Sequence, residues 1–467
     1  MYQLPKKHNY GVNTCQSCLE KQLEIDRLKD EVKRLKAALN YRQRKREDGP
    51  FGSSTPSSRI ALKPNSSPEN KARMGGAGPG HKGHGRKSVS EEQADRIQSI
   101  NLDSSCRHCG GQLSDKGSRS RTVIDLDPIE VKKILYRLER KLCAACGSNF
   151  QAQAPGVLPK AILGNQLLAE ILDGHYLTGI PLGRLSANFQ INLSTLIETL
   201  HRLGRLFQPV IKQLITDYRN SWVRHADETS WRSDGNNGYC WLFCTQQLSI
   251  YLFRQTRSQT VVREVLGVEN LSGYLVVDRY NGYNKAPCAL QYCLAHLMRE
   301  VEKLEREFAE EQEVKLFASS LIPLLAEAQH LRSQAINNQK YYERAREVKH
   351  EIIEINQQPA HNQGIRRIQD IFVENEDRLY AWVEDRRVPA ENNYAERELR
   401  PTVIARKVSF GSQSEEGAKT RSILMSVLHS LRKRVEQPKR RIKQVLDELA
   451  RGSSEKIYEM LFEQDSS

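Results

Sequence analysis

The stretch SWVRHADETSW, residues 221–231, starts as an apolar, strand-like run and ends on two acids, Asp227 and Glu228. Downstream, GYCWLFCTQQLSIYLFRQ (238–255) holds two β-rich runs, about 238–245 and 248–254, with Gln246 and Gln247 at the reversal. With 221–226 they predict three antiparallel strands. A helix follows in SQTVVREVLG (258–267), then a buried-looking strand in GYLVVDRYNGY (273–283), which Asp278 closes as Asp227 closes the first. The order strand, strand, strand, helix, strand lets the fourth strand lie beside the first through a crossover connection.

If those strands are neighbours, Asp227 and Asp278 meet at one sheet edge facing solvent. Two carboxylates that close repel unless a cation lies between them. Hard divalent ions such as Mg²⁺, which take oxygen ligands, meet that need. A third acid arrives in VPAENNYAERELRPTVIARK (388–407), where a helix after Pro389 carries Glu391, Glu396 and Glu398 among Arg397, Arg400, Arg406 and Lys407. Three carboxylates holding two metals activate a nucleophilic oxygen and stabilise the leaving one in phosphodiester chemistry. The surrounding cations then bind the nucleic-acid backbone. Strand alternation turns Glu228 away from Asp227, so it supports the site instead of ligating. The competing reading keeps these acids as turn residues and salt-bridge partners.

The 467 residues carry a formal net charge of +14, which fits a polyanionic partner. No apolar run reaches membrane-spanning length and no apolar signal core opens the chain, so the partner is nucleic acid and not a membrane. Of 10 cysteines, six form the CxxC pairs 15/18, 106/109 and 143/146. That usage points to zinc chemistry in a reducing, cytoplasmic compartment. Cys106, Cys109, Cys143 and Cys146 form two thiolate pairs for a structural Zn²⁺, with RTVIDLDPIEVKKILYRLERKL (121–142) supplying ribbon strands between them.

Further outward, residues 1–46 hold a helix in which Ile25, Leu28, Val32, Leu35 and Leu39 make a short leucine-zipper-like seam. Residues 47–95 read as a basic flexible linker, with seven cations between Arg59 and Lys87 against Glu69 alone. Residues 96–152 form the zinc-binding ribbon and 153–215 a helical region. In the latter, GIPLGRLSANFQINLSTLIETLHRL (179–203) resembles a helix-turn-helix, broken near Gln190 to Asn192 and capped by Ser194. Residues 216–300 hold the first part of the catalytic core, 301–385 helical sequence, and 386–425 the helix with the last acid. Residues 426–467 read as a basic helical C-terminal tail with a break at Pro438.

HADETSW (225–231), VVDRYNGYN (276–284), CLAHLMRE (293–300), ENNYAERELRP (391–401) and RKVSFGS (406–412) occur in the order found in the transposases of insertion sequence 66, a DDE-type group of bacterial mobile elements, and the chain resembles that family from about residue 20 to 425. The resemblance implies a multidomain α+β protein with a ribonuclease H-like α/β catalytic domain interrupted by a helical insertion. Coiled-coil helix, zinc ribbon and helix-turn-helix-like region precede that domain. It also implies that Asp227, Asp278 and Glu396 are the catalytic acids and hold two Mg²⁺ (or Mn²⁺) ions. Glu396 is preferred because it follows the paired asparagines, although ENN stands here where DNN is usual. The implied reaction is cleavage at transposon ends and strand transfer into target DNA. Arg279, His296, Arg299, Arg397, Arg400, Arg406 and Lys407 are the candidate DNA contacts; for His296 a hydrogen-bonded helix histidine is the plain alternative. The expected partners are double-stranded DNA, a second copy or more in a synaptic complex, and element-encoded accessory proteins. The expected location is the bacterial cytoplasm, on the nucleoid. The alternatives are a related metal-dependent nuclease or resolvase, a zinc-containing DNA-binding regulator, and an inactive transposase remnant.

Overall fold

The computed structural model describes residues 130–142, 144, 146, 149–453 and 456–463, with short pieces between 21 and 32 and at 91–93 and 97. Two compact units divide the chain: Ala61–Leu135, and Met1–Ile60 with Tyr136–Ser467. In the first, the described residues are a 3-10 turn at Glu91–Gln93, residue 97 and residues 130–135, which have no regular secondary structure. The rest of the expected linker lies outside the described residues, as do Cys15, Cys18, Leu35 and Leu39. The described residues between 21 and 32 are helical, and Ile25, Leu28 and Val32 are exposed on them.

A small hairpin pairs β1 (Arg140–Leu142) with β2 (Asn149–Gln151) in antiparallel register, Arg140 opposite Gln151. The CAAC motif falls in the connection; Cys146 is exposed, while Cys106, Cys109 and Cys143 lie outside the described residues. Helices α1 (Asn165–Leu172), α2 (Leu182–Asn188) and α3 (Leu193–Asn220) follow. The break before α3 is where the sequence puts it, at Gln190, whose φ is +52°. Its cap is Asn192 and not Ser194: the Asn192 side chain accepts from the Ser194 amide at 2.9 Å, since the capping residue must itself stay extended. Leu196, Leu200, Leu203, Phe207, Val210 and Leu214 form the buried face of α3 at spacings of three and four.

Next come β3 (Val223–Ser233), β4 (Asn236–Cys244), β5 (Ser249–Arg254), α4 (Gln259–Leu266), β6 (Tyr274–Val277) and β7 (Ala289–Tyr292). They make one sheet in the order β5-β4-β3-β6-β7. β3, β4 and β5 pair antiparallel; β6 lies parallel to β3, and β7 parallel to β6. The fourth strand is therefore the neighbour of the first, as the element order predicts. One expectation needs correcting: Asp227 does not end its strand. β3 runs six residues further because β4 pairs with it from His225 to Ser233, around a turn at Asp234 and Gly235 in which both φ angles are positive. The strand that ends there is β6. Carrying the register two residues past the pair His225 and Val276 brings Asp227 level with Asp278.

Between β7 and the last acid the chain is helical: α5 (Leu294–Glu307), α6 (Gln312–Leu331), α7 (Asn338–Gln357), α8 (Gln363–Glu374), α9 (Glu376–Leu379) and α10 (Ala381–Glu384). The chain then returns through α11 (Asn393–Ser409), α12 (Glu415–Arg434), α13 (Pro438–Ala450) and α14 (Ile457–Phe462). The segment from 426, expected to be a basic tail, is instead part of the core. α12 passes straight through that boundary and is buried on all sides from Thr420 to Leu431. It lies against α3 and against β5, the sheet's outer strand. An edge strand exposes unpaired amides and carbonyls, and three serines four residues apart answer them. Ser426 Oγ accepts from the Tyr251 amide at 2.8 Å and Ser430 Oγ from the Ser249 amide at 3.0 Å, while Ser422 Oγ donates to the Tyr251 carbonyl at 2.5 Å. The basic residues that suggested a tail cluster at the end of α12 and the start of α13. Among the described residues no helix is long and apolar enough to cross a membrane.

Candidate active site

Asp227 lies near the middle of β3, where the parallel neighbour β6 has stopped, and its Oδ1 accepts from the Glu228 amide at 2.8 Å. Asp278 is the first residue past β6, and its Oδ1 accepts from the Tyr280 amide at 3.0 Å, holding the turn that follows. Burial, then the charges of Glu228, Asp278 and Glu396, push Asp227 well above the usual carboxylate range. Three further carboxylates thus lie near enough to add their charge to one buried acid.

Of the three acids around α11, only Glu396 turns this way. Glu398 goes to the opposite side, where Lys433 at 3.1 Å and the Ser249 hydroxyl at 2.9 Å hold it. Glu391 accepts from the Asn393 amide at the helix start. The Glu396 carboxylate takes Arg299 Nη1 at 3.3 Å and has His296 Nε2 at 3.8 Å, both from α5. Because it faces Arg299, the three acids do not converge as they stand; among the described residues no group of three or more His, Cys, Asp or Glu side chains is arranged to hold a metal ion. His296 Nδ1 is buried with no hydrogen-bond partner. Burial lowers the His296 pKa, against the opposing pull of Asp278 and Glu396.

Glu228 is turned away from the site toward a brace. Arg257 donates to its Oε1 through Nε at 2.8 Å and Nη2 at 2.5 Å, and the Tyr283 hydroxyl donates to Oε2. Burial and the nearby Asp278 raise its pKa to about 7, with Arg257 opposing. The guanidinium of Arg257 also stacks 4.0 Å above the Tyr280 ring.

Sequence reasoning passed over Asn392, which is 1% exposed. Its side-chain amide donates to the Ala226 carbonyl at 2.8 Å, its Oδ1 accepts from His225 Nδ1 at 2.9 Å, and its backbone amide reaches Cys293 Sγ at 3.1 Å. Burial lowers His225 to about 4, so the ring is neutral at pH 7 and carries the Nδ1 proton this bond needs. One asparagine thus ties the start of the Glu396 helix to β3, next to Asp227, and to the start of α5, just before His296. The ENN motif was the available signal.

The remaining cationic candidates divide. Arg397, Arg400 and Lys407 are exposed along α11. Arg279 is instead paired with Glu300, and Arg406 donates to the Ser230 carbonyl at 2.5 Å and ties α11 to β3.

Comparison with known proteins gives a family assignment. The family model described as "Transposase IS66 family" matches residues 160–420. Two curated relatives come from Sinorhizobium fredii (strain NBRC 101917 / NGR234). "Uncharacterized protein y4jD" is 21% identical over 398 residues, covering 75% of each chain. "Uncharacterized protein y4hP" is 23% identical over 412 residues, covering 76% of this chain and 72% of the relative. No solved structure matches.

Proposed function

The chain belongs to the IS66 transposase family, and from that premise we propose that it cleaves DNA at the ends of a mobile element and joins them to target DNA. The reaction is phosphodiester hydrolysis followed by transesterification. Asp227, Asp278 and Glu396 are the proposed catalytic acids and would hold the divalent cations, Mg²⁺ or Mn²⁺.

The observation that carries this reading is that the parallel register of β3 and β6, continued by two residues, sets Asp227 level with Asp278 just past the end of β6, with Glu396 adding its charge to Asp227. The strand order β5-β4-β3-β6-β7, with three antiparallel strands followed by two parallel ones, supports a ribonuclease H-like catalytic domain. Hard oxygen donors are the ligands Mg²⁺ takes, and a cation beside Asp227 would relieve the burial and the neighbouring negative charge that raise its pKa. When bound, two such ions supply an activated oxygen nucleophile and neutralise the leaving oxygen.

The chain's own residues do the rest. Asn392 sets the Glu396 helix against β3, and Arg299 and His296 hold the third carboxylate. The Glu228–Arg257–Tyr283 brace fixes the turn after Asp278. Arg397, Arg400 and Lys407 bind backbone phosphates of the double-stranded DNA partner. Bringing two ends together calls for at least two copies, for which Ile25, Leu28 and Val32 offer an exposed apolar seam. A structural zinc at the CxxC motifs completes the proposal.

The test uses the purified chain, Mg²⁺ or Mn²⁺, and labelled DNA carrying the inverted repeats that flank its gene. Joined strand-transfer products support the transposase reading. Cleavage with no joining supports a nuclease instead, and no reaction on any end overturns both.

A further inference from the structure

α11 ends on a strained aromatic residue. Phe410 occupies the left-handed region at φ +59° and the residue is 76% exposed. That helix-terminal position favours glycine, and a bulky side chain there is a genuine outlier. Fixed partners hold it on both sides. The Phe410 amide donates to the Arg406 carbonyl at 2.8 Å. Gly411 follows at φ +128°, where a Cβ would collide with the Arg232 carbonyl. Ser412 then pairs with the far end of β3, its amide donating to that same carbonyl at 2.9 Å and its own carbonyl accepting from the Asp234 amide at 2.9 Å. Trp231 Nε1 donates to the Ser412 hydroxyl at 3.2 Å. The ring is thus presented to solvent on a rigid mount, and backbone strain of this kind collects at functional positions.

The surface beneath it is basic and continuous with the acid site. Helical phase, about 100° per residue, sets Glu396, Lys407 and Arg400 within roughly 40° of one another, with Ile404, Arg397 and Val408 beside them. Arg397, Arg400, Ile404, Lys407, Val408 and Phe410 are all exposed. The first acids after Phe410 in the sequence, Glu415 and Glu416, are directed to Gln255 at 2.9 Å and Arg205 at 3.6 Å. A polyanion lying along this face from Glu396 reaches Phe410 after 14 residues of helix, about 21 Å at 1.5 Å per residue. That distance is about six base steps of a duplex.

We propose that Phe410 is a base-stacking residue, its ring packing on an unpaired nucleobase of the DNA held along α11. An aromatic ring accepts any base by its π-face, and apolar wedges of this kind enter opened base steps. The inference rests on reading the Glu396 side of α11 as the DNA-facing side.

The experiment measures binding of the full chain to two short duplexes, one fully paired and one carrying a single unpaired 2-aminopurine, with the fluorescence of that base followed in parallel. The wild type should prefer the unpaired duplex by about fivefold or more and quench its fluorescence on stacking. F410W should keep both effects. F410A and F410G should bind the two duplexes alike, without quenching. F410G separates the ring from the fold, because glycine suits the left-handed position and its melting temperature should not fall. A preference that survives in F410G, or its absence from the wild type, overturns the inference while leaving the transposase reading standing. A chain that binds neither duplex overturns both. If F410G instead breaks a dimer and leaves the duplex preference intact, the patch is a protein interface and the inference fails.

Discussion

The side-chain amide of Asn392 sits 2.8 Å from the carbonyl of Ala226, the residue before Asp227. This bond joins the helix bearing the last acid to the strand bearing the first, across 166 residues of sequence.

Replacing Asn392 by alanine leaves the Ala226 carbonyl and His225 Nδ1 buried and unpartnered, at about 1–3 kcal/mol for each group. N392A should lower stability by about 3 kcal/mol in urea unfolding. Because Glu396 would be set loose by about an ångström, cleavage should fall by about a hundredfold in protein that is still folded. Wild-type cleavage in a folded N392A protein would show that this bond does not position the acid.

How much of this was legible beforehand depends on which forces leave a local trace. The sheet did, because alternating aromatics and buried apolar runs are written into 238–254 and 273–283. The place of Asp227 within its strand did not, since its exposure to the site depends on where β6 stops and not on where β3 stops. The choice among Glu391, Glu396 and Glu398 was partly legible: residues two apart on a helix point nearly opposite ways, so 396 and 398 could not both serve. The C-terminal segment misled because its basic residues are plain in the sequence, whereas the bonds from Ser422, Ser426 and Ser430 to the backbone of an edge strand leave no local trace.

Those serines give a second prediction. S426A removes the acceptor for the Tyr251 amide, and the loss should be about 1–2 kcal/mol by chemical denaturation. The triple alanine variant at 422, 426 and 430 should lose more and expose the sheet edge, raising its tendency to aggregate on light scattering. A triple variant as stable and as soluble as the wild type would contradict the role given to the serines.

Two buried histidines should cost the fold stability in mild acid. His175 donates from Nδ1 to the Ile180 carbonyl and accepts from Arg421 at Nε2; His429 donates from Nε2 to the Tyr176 carbonyl and accepts from Arg432 at Nδ1. Burial, with a guanidinium beside each ring, lowers them to about 3 and about 4. A histidine whose folded pKa lies below its unfolded value near 6.5 contributes stability that is fully present above pH 6.5. That stability is lost as pH falls toward the folded value, because only the unfolded chain takes up the proton. At pH 5 each should cost about 2 kcal/mol. Glu228, raised to about 7, works in the opposite direction over the same range because the folded chain takes up its proton first, so the histidine share is read by difference. H429Q should lose less melting temperature between pH 7 and pH 5 than the wild type, and an equal change in both would show that the ring is not held neutral.

The purified chain should carry tightly bound zinc by elemental analysis, and C143S/C146S should lose it. An equal zinc content in the variant would remove these two cysteines from any metal site.

The most direct test compares Mg²⁺-dependent breakage and joining of labelled element ends by D227N, D278N, E396Q and the double variant D227N/E396Q. Each single amide should abolish both steps with the fold intact, and the double variant should be no worse than either single one, because groups that act as a unit are not additive. Wild-type joining by any one of the three singles would contradict the account.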